Sequence, residues 1–147
     1  MKEIADFFAN VIYKSDKYET QSPCNDTDLL FPPFYAIVME MINAYQEQHE
    51  TIPFVLETYR SNTLQRIYFN RGASKIRQNG MHHYGIAVDL VGRANGQIDY
   101  EVLDYAWLRD WAKNNGLTVL DWELAHFQFI PVASQNELRQ AAADAIS

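Results

Sequence analysis

Cysteine is nearly absent: Cys24 is the only one among 147 residues. An intramolecular disulfide is therefore excluded, and so is a zinc cluster built from several thiolates. No apolar run approaches the roughly 18 residues of a membrane span. The best stretch, Phe34 to Tyr45, is broken by Glu40 and Asn43. Cations are scarce, 12 Lys and Arg against 19 Asp and Glu, for a net charge of −7. That argues against a nucleic-acid partner, because phosphate binding needs clustered Lys and Arg. The N-terminus carries Lys2, Glu3 and Asp6, so it does not read as a secretory signal. Repeats, low-complexity tracts and linkers are missing too. What remains is 48% hydrophobic and 21% charged, the composition of one globular domain. A chain of this size buries roughly 68–70% of its unfolded surface and needs no staples.

Periodicity divides the chain. Ile4, Phe7, Phe8, Val11 and Ile12 have the spacing of an amphipathic helix over residues 1–15. A polar loop follows to Leu30. Pro32-Pro33 opens a second helix, whose face is Ile37, Val38, Met41, Ile42 and Tyr45. Residues 54–59 read as a strand, and Ser61 as the N-cap of a short helix ending near Gly72. Residues 86–91 form a strand and 92–96 a turn. A helix spans 102–114 and is closed by Gly116. Strands at 117–122 and 126–130 precede an Ala-rich helix over 134–147. Helices early, strands late and few crossovers give a single α+β domain over 1–147, with an antiparallel sheet flanked by helices. The first and last helices are extensions of it.

Two segments carry polar residues where a strand should be apolar. In the first, Ile86, Val88 and Leu90 share one face, so Asp89 projects from the other beside the small Ala87. His82 and His83 precede it, past Gly85. In the second, Phe127 and Phe129 point to the core, leaving His126 and Gln128 on the opposite face. Glu123 lies three residues before His126, across a tight turn. If the two strands are neighbours, His82, Asp89 and His126 converge. Two imidazoles and a carboxylate suit Zn²⁺ and leave its fourth position open, the mark of a catalytic site. Glu123 would then be an unligated carboxylate placed to act as general base. His83 is a rival to His82, and spacing alone does not choose between them.

His82-x-x-Gly85-x-Ala87-x-Asp89, followed by Trp122-Glu123-x-x-His126, resembles the zinc D-Ala-D-Ala carboxypeptidase and L-Ala-D-Glu endopeptidase family, which includes VanY-like and phage endolysin peptidases. Glu57-Thr58-Tyr59-Arg60-Ser61 with Gln65, then Tyr68 and Gly72-Ala73-Ser74, resemble its upstream blocks. The likeness covers about residues 30–130. It implies one Zn²⁺ per chain on the sheet, held by His82, Asp89 and His126, and so favours His82 over His83. It implies Glu123 as catalytic base and Arg60 at the scissile carbonyl, with Ser61, Gln65, Ser74 and Tyr84 as substrate contacts. Two departures stand out: Gly80 replaces a serine common two residues before the first His, and the base is Glu where some members have Asp.

The implied function is hydrolysis of peptidoglycan stem peptides, most like the L-Ala-D-Glu endopeptidase branch, with the D-Glu side chain meeting Lys75 or Arg77. A D-Ala-D-Ala carboxypeptidase is the near alternative. A non-catalytic zinc-bearing binding or phage structural module is the alternative of another class. A monomer without membrane insertion is expected, made in the cytoplasm and, if phage-derived, released to the wall by a holin or lysis.

Overall fold

A computed structural model describes all residues, 1–147. α1 (Lys2–Phe7) runs on as a π-helical turn, Phe8–Ile12. α2 (Pro32–Gln48) starts with Pro at its first two positions, where no intrahelical N–H bond is lost. It buries Phe34, Val38, Met41, Ile42 and Tyr45. β1 (Phe54–Glu57) leads to α3 (Asn62–Asn70), where the Ser61 hydroxyl accepts the Leu64 N–H as N-cap. A 3₁₀ turn, Met81–Tyr84, enters β2 (Ala87–Ala94). Then come β3 (Gln97–Asp99), α4 (Tyr105–Asn114), β4 (Thr118–Leu120), β5 (Glu123–Gln128) and α5 (Gln135–Ile146).

The strands form one antiparallel sheet in the order β1-β2-β5-β4, with β3 paired to the far end of β2. Gly92 lies inside β2, not in the turn expected over 92–96; the reversal is at Asn95-Gly96, both with positive φ. Gly92 stays in the strand because the Val102 side chain fills the space a Cβ would need. The terminal helices, read as extensions, belong to the same core: Ile4, Phe8, Ile12, Leu138 and Ala142 are buried with Phe34, Ile86, Leu90 and Phe127.

Two irregularities in the ladder set the site. Between β1 and β2 the register slips at Leu56, so Glu57 rather than Leu56 faces Asp89. Asp89 faces His126 on its other side. Glu57, Asp89 and His126 thus lie in one row across three strands. Between β4 and β5, Val119 pairs with Phe127 but Leu120 pairs with Glu123. Leu124, Ala125 and His126 therefore have no partner on β4. In an unbroken strand, residues three apart point to opposite faces. The bulge cancels that and returns the Glu123 carboxylate to His126.

Candidate metal centre

The 3₁₀ turn presents His82 because Gly85 ends it at φ +71. A Cβ at Gly85 would run into the Leu29 carbonyl and the Ile12 side chain, so only glycine closes the turn this tightly. The imidazole of His82 is buried at 4% exposure, and Nδ1 donates to the Thr58 carbonyl at 2.7 Å. That bond leaves the Nε2 lone pair facing Asp89 Oδ1 at 3.3 Å. His126 is the mirror case. Its Nε2 donates to Gln128 Oε1 at 2.8 Å, which leaves Nδ1 facing Asp89 Oδ1 at 3.5 Å. Gln128 is itself oriented, since its amide donates to the Ile130 carbonyl at 2.8 Å.

His82 Nε2 and His126 Nδ1 are the only buried side-chain polar atoms without a hydrogen-bond partner. A buried polar group left unpaired costs roughly 1–3 kcal/mol. Here two such groups lie around one carboxylate, and the three ligand atoms are within 4.8 Å of one another. Two imidazole lone pairs and one carboxylate oxygen are the donor set of a divalent metal of the Zn²⁺ type. The residues present therefore fit the ion. Burial by itself would raise the Asp89 carboxyl, but the two imidazoles outweigh it and hold Asp89 far below the ordinary carboxylate range. Burial lowers His126 in the same way, and the Asp89 carboxylate overcomes this and raises it.

His83 is not a ligand. Its ring lies among Phe8, Tyr18, Tyr59 and Tyr84, and its Nδ1 donates to the Arg60 carbonyl at 3.3 Å. Desolvation there pushes its pKa down to about 4.

Glu123 Oε2 stands 3.3 Å from His126 Nδ1, yet the side chain is 41% exposed, open to the cleft. Arg60 is held from behind. Its Nε and Nη2 each donate to a Glu57 oxygen at 2.8 Å, and Nη1 donates to Gln65 Oε1 at 3.1 Å. Nη2 also lies 3.6 Å from Asp89 Oδ2. Burial lowers the guanidinium's pKa, and the Glu57 pair overcomes that and raises it. Arg60, Ser74, Glu123 and His126 stand where two lobes of one cleft meet. The narrower lobe runs past Gly80, His82 and Val132 under Trp122. The more open one runs past Tyr68, Tyr100 and Leu124.

Of the four expected substrate contacts, Gln65 and Ser74 line this cleft. Both are internally bonded: the Gln65 amide donates to Ser74 Oγ at 3.0 Å and to the Ile76 carbonyl at 2.7 Å. Ser61 and Tyr84 are corrected. The Ser61 hydroxyl is fully buried and bonded to the Thr20 carbonyl and Leu64 N–H. Tyr84 is 3% exposed and packs on Phe8, beneath the site. Two further residues support the site: Glu57, which grips Arg60, and Gln128, which grips His126. Gln128 was within reach of the pattern, since a residue two beyond a ligand shares its strand face. Glu57, three residues before Arg60, is a ready ion-pair partner by sequence alone, but its place in the row with Asp89 depends on the bulge at Leu56.

No family model and no curated protein matches the chain; the likeness lies in three dimensions. The L-Ala D-Glu endopeptidase ChiX of Serratia marcescens superimposes with TM-score 0.56 at 22% identity, over 79% of this chain and 94% of that one. The chain has the fold of this peptidase. The L,D-carboxypeptidase DacB of Streptococcus pneumoniae gives TM-score 0.53 at 22% identity over 85% and 78% of the two chains. The D,D-pentapeptidase VanY of a VanB-type vancomycin-resistance cassette, solved in complex with Zn(II), gives 0.52 at 15% identity over 88% and 97%. The fold shared with all three is the α+β arrangement described above.

Proposed function

We propose that this protein is a zinc metallopeptidase that hydrolyses peptidoglycan stem peptides. One observation carries the reading: two buried imidazole nitrogens lack a hydrogen-bond partner, both face Asp89, and the opposite nitrogen of each ring is anchored. The structural neighbours with this fold, an L-Ala D-Glu endopeptidase, an L,D-carboxypeptidase and a D,D-pentapeptidase, support the same substrate class.

His82 Nε2, Asp89 Oδ1 and His126 Nδ1 would hold the ion. Zinc, when bound, supplies Lewis acidity, which acidifies water and polarises a carbonyl. Glu123, exposed to the cleft, takes the proton of the attacking water at its carboxylate and passes it to the leaving amine nitrogen. Thr58 and Gln128 fix the ring tautomers, so no reorientation is needed during the reaction. Arg60 has one Nη1 N–H beyond those given to Glu57 and Gln65, and it donates this to the carbonyl oxygen as charge develops there.

Within this class we favour cleavage inside the stem, between L-Ala and D-Glu. A carboxypeptidase needs a fixed, uncompensated cation to receive a terminal carboxylate. The one cation held rigidly inside this cleft, Arg60, is already paired with Glu57 and lies beside Asp89, while Lys75 and Arg77 are exposed side chains with no carboxylate partner to fix them. Digestion of purified muropeptides, read by mass spectrometry, tests both levels. Release of L-Ala-terminated fragments is expected. Release of D-Ala alone would replace the endopeptidase by the carboxypeptidase, and an intact digest with zinc bound would remove the peptidase reading.

A further inference from the structure

Between Glu57 and Asp89 the chain has no acidic residue at all, yet it places five of its 12 cations there: Arg60, Arg66, Arg71, Lys75 and Arg77. The rest of the chain holds seven cations against all 19 acids. The net charge of −7 thus conceals a strongly basic segment in a more strongly acidic body. The fold makes that segment one wall of the cleft. Tyr68 and Ala73 line the open lobe, Ile76 and Gly80 the narrow one, and Ser74 both.

Four of the five cations are uncompensated. Only Arg60 has a carboxylate within 4.0 Å; Arg66, Arg71, Lys75 and Arg77 have none. All four are exposed. The Lys75 ammonium lies 5.7 Å from the Trp122 ring centre, so it reaches across the mouth of the narrow lobe. Unpaired like charges repel one another and do not help the fold. Lys75 stands at the mouth, and Arg71 and Arg77 flank the lining residues Ala73, Ser74 and Ile76 in sequence, so together they raise the local concentration of anions at this face of the molecule. The opposite wall, the β4–β5 hairpin, carries Asp121 and Glu123. A chain charged along both edges, such as a polyphosphate, would meet those carboxylates. A peptide with its carboxylates along one edge would not.

We infer that this wall, through Arg71, Lys75 and Arg77, receives the carboxylates of an acidic peptide and lays it along the cleft in one direction. This rests on the peptidase reading and names the charge class of its substrate: stem peptides with free, unamidated carboxyl groups.

The experiment compares a stem tetrapeptide in its free-acid form with the same peptide amidated at its side carboxyls. Binding is measured by calorimetry to zinc-loaded Glu123→Gln protein, at low ionic strength and at about 0.15 M. The free acid is expected to bind about tenfold more tightly at low salt, with the advantage shrinking as salt rises. Adding Arg71→Gln, Lys75→Gln and Arg77→Gln together removes the advantage and leaves the affinity for the amidated peptide unchanged. Equal affinity for the two peptides overturns the inference. So does an equal loss for both in the triple variant, or a linear polyphosphate that competes as strongly as the free acid. If wild-type protein with zinc bound leaves both peptides intact but the free-acid preference persists, the wall stands and the peptidase reading falls.

Discussion

His82 and His83 are adjacent in sequence, equally buried and on the same 3₁₀ turn, and each gives its Nδ1 to a backbone carbonyl, yet the rest of each ring meets different surroundings. With three residues per turn, successive side chains diverge by about 120°. One ring is thereby sent toward Asp89 and the other into the aromatic cluster of Phe8, Tyr18, Tyr59 and Tyr84. The front ring has an unpaired nitrogen, which is a metal-ligand environment. The back ring is held neutral by desolvation, which is a packing environment. A buried histidine is read by what its two nitrogens face.

The largest effect should come from the front. His82→Ala and His126→Ala should each reduce zinc content from stoichiometric to trace, measured by metal analysis after dialysis. Full occupancy in either variant would break the contrast between the two rings. Glu123→Gln should keep its zinc and lose about 10²–10⁴-fold in kcat, because the amide cannot accept a proton. Near-normal turnover would remove Glu123 from the mechanism. Gln128→Leu, similar in size but unable to accept the His126 N–H, should weaken zinc binding about 10–100-fold in a chelator competition. Gln128→Glu, which restores the acceptor, should recover part of that loss.

The smallest effect should come from the back, and it should appear in pH rather than in metal. The His83 pKa is about 4 in the folded chain, against roughly 6.5 when unfolded. Between these values the unfolded state binds a proton that the folded state does not. Stability from this group is therefore complete above about pH 6.5 and is lost as pH falls toward 4, by of order 3 kcal/mol in all. His83→Phe should flatten the dependence of the urea midpoint on pH between 7 and 5 in chelator-treated protein, relative to wild type, and leave zinc affinity unchanged. A steeper dependence would mean that His83 is charged in the folded state.

Much of this contrast was legible in the sequence. Asp89 and His126 as candidate ligands, the α+β order and the Ser61 cap follow from local patterns: alternation in the strands and capping chemistry. The choice of His82 over His83 was not legible from spacing, because it depends on the phase of a single 3₁₀ turn. Nor was the row of Glu57, Asp89 and His126, which needs the Leu56 slip, or the return of Glu123 to His126, which needs three β5 residues without a partner on β4. Bulges change which residues face each other without changing the hydrophobic pattern that announces the strand. Tyr84 was misplaced for a related reason: an aromatic next to a ligand fits the cleft or the layer beneath it equally well, and only the contact with Phe8 decides.

The three ligand residues come from two stretches of chain far apart in sequence, the turn into β2 and the bulge of β5. An ion held between them is a cross-link, closing a long loop at the centre of the sheet. With a single thiol, this chain can make no covalent cross-link of its own. Such a clasp lowers the entropy of the open chain and opens with falling free-metal concentration rather than with redox potential. The resistance of this molecule to unfolding and to proteolysis would then track the zinc supply of its surroundings, and chelators would act on it as reducing agents act on a disulfide-linked domain.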